Sequence, residues 1–395
     1  MSPAGNPPPT RLTYIPALDG MRGISLPGTI FTHYAILLQG LPSAPRWLGN
    51  AAPFTLNIEM FFTLSGALIT SLLVSEFRRT GGVSLKRFYL RRSRRLGPAL
   101  FFTIPVLLLA TPFLTHSRSV QPLGPHPWLA ALVLMLFLGN WLLATDNDML
   151  GWMGPAWTLG IEEQFYLTWP LLLVQAMRHG WSRARILLAL TVVIGLCIGF
   201  AAWALPRYGW LATGYLTPTQ IPSILVGCAL GYVLTTTPEG RLAGSLKHWS
   251  AALAGLAGMA VISWQWHDEP GLLDQGGFIV YALFACLVIG HCMVRAAEPS
   301  WVNHVLGWKP FVIIGQLSYE AYLIHVLVIL AVLRAFPTMD VTQMVVLDSV
   351  LIAAISAAFY YGVAAPIRRF GWVAGLNRRR PEEDRTTPIE SAPVA

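Results

Sequence analysis

The chain has 395 residues, of which 54% are hydrophobic and only 12% are charged, and its formal net charge is +8. Soluble globular domains carry about 25% charged residues, so this composition excludes a soluble protein and predicts a polytopic membrane protein. The positive charge does not indicate nucleic-acid binding, because the arginines lie in short segments between apolar stretches, where cytoplasmic loops collect Lys and Arg.

Apolar stretches that could cross a bilayer recur along the whole chain, since a hydrocarbon core of roughly 30 Å needs about 20 helical residues. The candidates are residues 16–39, 54–74, 96–114, 128–144, 157–177, 186–205, 219–236, 249–266, 277–294, 310–333 and 343–365. We predict an all-α fold in which residues 16–370 form one membrane domain. The polar ends, residues 1–15 and 371–395, are predicted to be disordered, and no removable signal peptide is expected.

The charges between these stretches predict how the chain crosses the membrane. The basic segments 75–95, 178–185 and 368–380 should be cytoplasmic, and the acidic segment 267–275 should lie outside. Eleven full crossings cannot satisfy all four segments. Ten can, if the stretch 128–144 enters and leaves on the same side. The sequence therefore predicts about ten transmembrane helices and one re-entrant or partial helix, with the protein in the cytoplasmic (inner) membrane and both termini on the cytoplasmic side.

Two ionisable residues interrupt the first apolar stretch. Arg22 and His33 are eleven residues apart, so they share one helix face about 16 Å apart along its axis. A charge at such depths costs at least about 2.5 to 3.5 kcal/mol on insertion scales, and intramembrane ionisable residues are functional candidates by default. The alternative is that Arg22 simply pairs with Asp19 and that His33 is a satisfied core histidine.

Carboxylates follow in the second and fifth stretches. Glu59 lies at a depth comparable with that of His33 and could orient and charge it, although it could also simply reach the membrane interface. Glu162 and Glu163 begin the fifth stretch, and because neighbouring helical residues point about 100° apart, at most one of them faces a given site.

Two further patterns carry chemistry. Arg91, Arg92, Arg94 and Arg95 precede a membrane entry, where they are either a positive-inside cluster or a clamp for phosphates, which paired guanidinium donors fit. Three polar residues share one face of the tenth stretch at i, i+4 and i+7, a spacing that for polar side chains is not typical of packing; they are Ser318, Tyr322 and His325.

At this point the sequence resembles a known family. The motifs "LDGMRGIS" with His33, "MFFTLSGALIT", "RFYLRRSRRLGPAL", "PAWTLGIEEQFYLTWP" and "GQLSYEAYLIH" occur in the order found in the acyltransferase 3 family of membrane acyltransferases. Five motifs in register over roughly residues 14–370 make the resemblance specific. It implies a ten-helix enzyme that moves an acyl group, most often acetyl, from acyl-coenzyme A to a hydroxyl group, commonly on a sugar.

The resemblance also implies roles for particular residues. The essential Arg and His of the family correspond to Arg22 and His33. The family's Arg-x-x-Arg element corresponds to Arg91 and Arg94 or to Arg92 and Arg95, and the doubled arginines leave its register open. Some relatives carry an additional esterase-like domain, and since this chain ends about thirty residues after its last apolar stretch, we expect it to act alone or with a separate partner.

These expectations combine into a mechanism. The arginines and Arg22 would hold the phosphates and pantetheine arm of acyl-coenzyme A, the co-substrate. His33 would take the proton of the attacking hydroxyl, with Glu59, Glu162 or Glu163 orienting it. Tyr322 or Ser318 would donate to the oxyanion. No metal and no permanently bound cofactor are expected, and direct transfer is favoured over an acyl-histidine intermediate.

Alternatives remain at three points. A transporter or flippase would also have buried charges, but the matching broken helices of many transporters are not visible. Propionyl, isovaleryl or succinyl donors would need no different motif. The acceptor is a sugar of a surface polysaccharide or glycolipid, or else a sugar of a macrolide-type metabolite, and the sequence does not decide between them.

Overall fold

The computed structural model describes residues 14–38, 44–48, 56–114, 126–145, 150–268 and 277–370. Within these ranges the chain is helical and contains no strand. The predicted disordered ends lie outside the described residues, apart from residues 14 and 15, and so does most of the predicted acidic loop. The α-helices of the described residues are α1 Pro16–Leu38, α2 Asn57–Thr80, α3 Leu85–Leu114, α4 Pro127–Met135, α5 Gly139–Thr145, α6 Trp157–Arg178, α7 Arg183–Thr213, α8 Thr217–Thr236, α9 Arg241–Leu246, α10 Trp249–Asp268, α11 Gly277–Val294, α12 Trp301–Leu306, α13 Lys309–Gln316, α14 Ser318–Ala335, α15 Val341–Phe359 and α16 Ala365–Phe370.

The all-α membrane fold predicted from composition is confirmed. In the described part of the chain, six helical stretches are long and apolar enough to cross a bilayer: Asn57–Thr80, Leu85–Ala110, Arg183–Gly209, Thr217–Thr236, Ser318–Ala335 and Val341–Arg369. Within the described residues, each of the eleven predicted apolar stretches is mainly helical. The chain is therefore an integral membrane protein.

Three predicted segments differ from the structure in detail. The stretch 128–144 is broken into α4 and α5 by a turn in which Phe137 has a φ of 58°. The stretch 310–333 is also broken, since α13 ends at Gln316 and α14 begins at Ser318. Most of the basic segment 75–95, predicted as a loop, is helical, because α2 runs on to Thr80 and α3 begins at Leu85. These breaks are set by tertiary packing, which an apolar stretch does not reveal.

The broken stretch 128–144 cannot cross the bilayer as a straight helix. Its two helices, α4 and α5, have 9 and 7 residues, which at 1.5 Å per residue correspond to roughly 14 and 10 Å. Side-chain hydrogen bonds fix this pair of helices to its neighbours. Asn140 of α5 donates to Thr217 Oγ1 at 2.9 Å, and Gln164 of α6 donates to the carbonyl oxygen of Phe137 at 2.7 Å.

Helices α2 and α8 pack at very close range through glycines. A Cβ atom on Gly227 would overlap the carbonyl oxygen of Thr63, and one on Gly66 would overlap that of Ile224. Only residues without a side chain permit this approach, which is characteristic of small-residue interfaces between membrane helices. Gly227 and Gly231, which have the G-x-x-x-G spacing, both take part in this packing, whereas Gly195 and Gly199, which have the same spacing on α7, have no atom within 4 Å of an added Cβ.

This contrast gives a matched test of the interface. We expect Gly227→Ala to lower the thermal stability of the purified protein, because overpacking costs about 1 to 3 kcal/mol. Gly195→Ala should leave stability unchanged or raise it, because alanine is the better helix former by roughly 1 kcal/mol. Melting curves in one detergent check both variants. Equal melting temperatures for the two would contradict the close packing of α2 on α8.

Helix α1 lies against α12, α13 and α14 and is held by a second set of glycines, which pack on α12 and α13. An added Cβ would overlap a backbone oxygen at Gly20 (Leu306), at Gly23 (Phe311) and at Gly315 (Asp19). Because α13 packs so tightly on the first half of α1, α14 follows the second half. This brings the polar face of α14 to the end of α1 that carries His33.

Candidate functional site

Two groups of polar side chains lie inside the helical bundle. The first, the histidine pair, consists of His33 on α1 and His325 on α14. The second, the arginine–glutamate cluster, consists of Arg22, Arg92, Arg95, Glu162 and Glu163 on α1, α3 and α6. The sequence predicted a functional role for each of these residues. It did not predict which of them would meet.

The histidine pair joins residues that are 292 positions apart in the chain. His325 Nε2 lies 2.9 Å from His33 Nδ1, and His325 Nδ1 lies 2.6 Å from the carbonyl oxygen of Tyr322. A carbonyl oxygen only accepts, so Nδ1 of His325 carries a proton and, in the neutral ring, its Nε2 is an acceptor. His33 Nδ1 must then donate to it. The unprotonated nitrogen of His33 is therefore Nε2, which can take a proton from another molecule.

The two histidines differ in accessibility. His325 is only 1% exposed, whereas the side chain of His33 is partly exposed. The buried ring thus holds the accessible ring in one tautomer and orientation. His33 is thus the more exposed member of the pair.

Tyr322 is already occupied by hydrogen bonds within the protein. Its hydroxyl donates to the carbonyl oxygen of Pro155 and accepts from Thr158 Oγ1 at 3.0 Å. The sequence had suggested Tyr322 or Ser318 as a donor to the oxyanion. In this arrangement the Tyr322 proton is committed to Pro155, so Tyr322 instead fixes α14 to the start of α6. Ser318 is buried at the first turn of α14, seven residues and about 10 Å of helix before His325.

A chain of hydrogen bonds runs through the arginine–glutamate cluster. The guanidinium of Arg92 stacks 3.5 Å from the centre of the Tyr166 ring. The Tyr166 hydroxyl donates to Ser65 Oγ at 3.0 Å, and Ser65 Oγ donates to Glu162 Oε1 at 3.0 Å. Glu163 lies within electrostatic range of Arg92. The two adjacent glutamates thus meet different partners, as expected for neighbouring positions on a helix.

Arg22 pairs with Asp19, which the sequence analysis gave as the alternative to a functional role. Arg22 donates to Asp19 Oδ1 at 2.8 Å, and both side chains are mostly buried. The second oxygen of Asp19 accepts from the Tyr14 hydroxyl at 2.8 Å. Arg22 also lies within electrostatic range of Arg95 and Glu162. The ion pair with Asp19 therefore places Arg22 at the edge of the cluster.

The four arginines of α3 do not share one environment. Arg92, Arg94 and Arg95 are all partly buried, whereas the side chain of Arg91 is 61% exposed and pairs with Glu76 at 3.7 Å. Arg92 and Arg95, one helical turn apart, are the two that meet the cluster, since Arg92 lies over the Tyr166 ring and Arg95 is within electrostatic range of Arg22. The geometry favours the Arg92–Arg95 register over the Arg91–Arg94 register that the sequence left open.

Arg368 adds a cation that the sequence analysis had assigned only to topology. Its Nη2 lies 2.9 Å from Glu320 Oε1 and also donates to the carbonyl oxygen of Arg95 at 3.4 Å. Glu320 is 1% exposed. The short helix α16 is thereby fastened to α3 and α14 beside the arginine–glutamate cluster. A basic residue in the last helix was the only available signal, and it is shared by most membrane proteins.

Glu59 lies away from the histidine pair. It is fully buried, and its side chain faces Ser223 of α8, with Tyr281 of α11 in electrostatic range. The group within electrostatic range of His33 is His325. The expectation that Glu59 orients His33 therefore conflicts with this geometry. Depth along a helix was the basis of that prediction, and depth does not determine which neighbour a side chain faces.

This placement of Glu59 has a measurable consequence. Glu59→Gln removes the charge while keeping the shape, so we expect the activity that depends on His33 to stay within about threefold, or roughly 0.7 kcal/mol, of the wild type. Activity in membranes at matched protein levels checks this. A loss as large as that of a His33 variant would return Glu59 to the catalytic residues.

The fold and the site together define a class, that of helical integral membrane proteins with a hydrogen-bonded histidine pair inside the bundle. A family model described as an acyltransferase domain, that of the acyltransferase 3 family, matches residues 15–367. The chain belongs to this family, and the resemblance stated from the five motifs is confirmed.

Curated relatives are similar in sequence to this chain over most of its length. It is 29% identical over 373 residues to "O-acetyltransferase OatA" of Staphylococcus aureus, covering 91% of this chain and 58% of the relative. It is 29% identical over 385 residues to "Peptidoglycan O-acetyltransferase OatA" of Listeria monocytogenes, covering 91% of this chain and 57% of the relative. The chain thus spans little more than half the length of these relatives. No solved structure matches it.

Proposed function

We propose that the protein is a membrane O-acyltransferase that moves an acetyl group from acetyl-coenzyme A to a sugar hydroxyl of a cell-surface polymer. One observation carries the proposal. His33 is an accessible imidazole whose Nδ1–H is held by the buried His325, so that Nε2 is left to act as a base. A positioned base of this kind accelerates a reaction typically by 10² to 10⁴.

The proposed topology has ten crossings with both termini in the cytoplasm. The crossings are α1, α2, α3, α6, α7, α8, α10, α11, the α13–α14 pair and α15 with its continuation to α16. Helices α4 and α5 form the re-entrant element, which is supported by their short lengths. In this orientation, Arg22, Arg92 and Arg95 lie toward the cytoplasm, and His33 lies toward the outer side.

This orientation suits a donor that arrives from the cytoplasm. Coenzyme A carries a pyrophosphate and a further phosphate, and guanidinium groups bind phosphate oxygens through paired, charge-assisted hydrogen bonds. Arg92 and Arg95 face inward from the cytoplasmic half of α3 and would bind these phosphates. The pantetheine arm would then follow α1 from Arg22 toward His33, about 16 Å away.

The transfer step follows from the tautomer of His33. Nε2 takes the proton of the sugar hydroxyl while its oxygen attacks the thioester carbon. A C–O bond forms and the C–S bond breaks. The proton then passes from His33 to the departing sulfur, so coenzyme A leaves as a thiol and His33 returns to its starting form. The positive charge on His33 during this step is stabilised by Nε2 of His325, which accepts the hydrogen bond from Nδ1–H.

The acceptor is inferred from the relatives. The Listeria relative bears the name of a peptidoglycan O-acetyltransferase, and the similarity to it covers nearly the whole membrane domain. We therefore place a sugar of the cell-wall polymer first among the surface polysaccharides and glycolipids. A hydroxyl acceptor suits a histidine base that accepts a single proton.

The test follows isotopic label from donor to acceptor. Membranes that contain the protein, permeabilised so that both faces are accessible, are given acetyl-coenzyme A with a labelled acetyl group together with purified peptidoglycan. The sugar fragments of the polymer are then identified by mass, and mild alkali should release their label as free acetate. Labelled acetate esters on the sugar would support the proposal. Label on another glycolipid or on a metabolite sugar would correct the acceptor. No label in any ester, with folded protein present, would remove the transferase assignment and favour transport.

A further inference from the structure

Arg368 on α16 belongs to a buried ion pair that has no part in the mechanism described so far. Its Nη2 donates to Glu320 Oε1 at 2.9 Å and to the carbonyl oxygen of Arg95 at 3.4 Å. A guanidinium group has five N–H donors, of which Nη2 carries two. Among the described residues, Nε and Nη1 of Arg368 have no hydrogen-bond partner, and 27% of the side chain is exposed. Arg368 therefore has donors left for another molecule.

An irregularity of the last helix determines where Arg368 points. One π-helical turn, Tyr360–Ala364, lies between α15 and α16. Such a turn inserts one residue and rotates the following residues by about 100° relative to an uninterrupted α-helix. Position 368 thereby takes the face that an uninterrupted helix would give to Ile367. The guanidinium lies 4.9 Å from the ring centre of Tyr360, and π-turns of this kind are frequent at functional sites.

Arginines from three distant parts of the chain come together beside this ion pair. Arg95 on α3 lies within electrostatic range of both Arg22 on α1 and Arg368 on α16. Like charges repel more strongly where little water screens them. Asp19 pairs with Arg22, and Glu320 pairs with Arg368. An anion bound among the three guanidinium groups would reduce their repulsion and accept charge-assisted hydrogen bonds.

The proposed donor carries phosphates at two distances from its thioester. The pyrophosphate follows directly on the pantetheine arm, whereas the further phosphate lies on the ribose at the far end of the molecule. Arg95 is three residues after Arg92, so in the proposed topology it lies about 4.5 Å further from the cytoplasmic start of α3. The deeper position of Arg95 and Arg368 matches the pyrophosphate, and that of Arg92 matches the ribose phosphate.

We propose that Arg368, together with Arg95, binds the pyrophosphate of the acyl-coenzyme A donor. This inference rests on the proposed function, since it adds a residue to the donor site of the same enzyme. Nη1 of Arg368 donates to a pyrophosphate oxygen, while Nη2 keeps its hydrogen bonds to Glu320 and to the backbone of Arg95. Glu320 thus orients the guanidinium for the ligand.

The experiment measures the binding of two ligands to the purified full-length protein. They are coenzyme A and dephospho-coenzyme A, which keeps the pyrophosphate and lacks only the ribose phosphate. Arg368→Gln should raise the Kd of both ligands by the same factor, roughly 10- to 150-fold, the range for loss of a hydrogen bond to a charged group. Arg369→Ala removes an exposed cation from the next position and should leave both Kd values unchanged.

Glu320 distinguishes phosphate binding from a purely structural ion pair. Glu320→Gln removes the negative charge beside Arg368 and keeps the shape of the side chain. It should bind coenzyme A at least as tightly as the wild type, because the charge of the guanidinium is no longer offset. If Arg368→Gln does not fold, since it leaves a buried carboxylate unpaired, the double variant Glu320→Gln/Arg368→Gln has no unpaired charge at this place and should show the same loss of binding.

The outcomes separate this inference from the proposed function. A wild type that binds coenzyme A, with folded Arg368 variants that bind it equally well, would overturn the role of Arg368 and leave the transferase standing. A loss confined to coenzyme A would overturn the assignment to the pyrophosphate. An equal loss in Glu320→Gln would show that the ion pair only supports the fold. A wild type that binds no coenzyme A would contradict the proposed donor itself.

Discussion

Replacing His33 with alanine is expected to lower the rate of acyl transfer by a factor of about 10² to 10⁴, the range typical for loss of a general base. The variant loses the only nitrogen of the histidine pair that can accept a proton, since His325 Nδ1 is bonded to a carbonyl oxygen and Nε2 serves His33. His325 is buried and cannot take over the role. The rate of coenzyme A release in the presence of peptidoglycan measures the loss.

The control for this prediction is the fold. His33 is partly exposed and makes no contribution to the glycine-mediated packing of α1 on α13, so His33→Ala should insert and melt like the wild type. Binding of coenzyme A should also persist, because in the proposed arrangement its phosphates would lie at the opposite end of α1. A folded His33→Ala enzyme with near wild-type turnover would refute the assignment of His33 as the base.

His325 provides an internal check, because in the proposed mechanism it acts through His33. A hydrogen bond to a charged group is worth about 1.5 to 3 kcal/mol, so His325→Ala should lower the rate of acyl transfer roughly 10- to 150-fold. His325→Gln should retain more activity, since its side-chain oxygen can accept from His33 Nδ1. The double variant should be no worse than His33→Ala, as expected for residues that act as a unit. Additive losses would show that His325 touches the substrate itself.

The sequence was informative where chemistry depends on position along one helix. Arg22 and His33 share a face of α1, and Tyr322 and His325 share a face of α14, because the helical period alone decides this. The apolar stretches located the helices for the same reason. Residue types also identified the candidates, since buried ionisable groups in a membrane are costly and rare.

Pairing between helices could not be predicted in the same way. His33 meets His325 rather than Glu59, because α12 and α13 pack closely on α1 at Gly20, Gly23 and Gly315, so that α14 follows along α1, and α2 turns its carboxylate toward α8. Glycines signal that helices come close, but not which helices do. The stretch 128–144 was set apart in the sequence only because eleven crossings could not satisfy the loop charges. The break at Phe137 itself was not predicted, because nothing in its apolar neighbours marks a positive φ.

Arg92→Ala is expected to weaken use of the donor more than any other single change among the arginines of α3. Arg92 faces the interior, stacked on Tyr166 and close to Glu163, where a phosphate group would add charge-assisted hydrogen bonds worth about 1.5 to 3 kcal/mol. We expect kcat/KM for acetyl-coenzyme A to fall roughly 10- to 150-fold. The loss should appear mainly in KM, because phosphate contacts far from the thioester bind substrate and transition state alike.

Arg91 is the matched control, one position away on the same helix. Its side chain is exposed and paired with Glu76, so Arg91→Ala removes the same charge from the same segment without touching the interior. We expect it to change KM by less than about twofold, since exposed ion pairs contribute roughly 0 to 1 kcal/mol. Arg92→Lys should fall between the two, because lysine keeps the charge but lacks the planar group that stacks on Tyr166 and binds phosphate through two donors. If Arg91→Ala and Arg92→Ala raised KM equally, the arginines would act through net charge at the membrane surface, and the inward-facing register would have no special part in binding the donor.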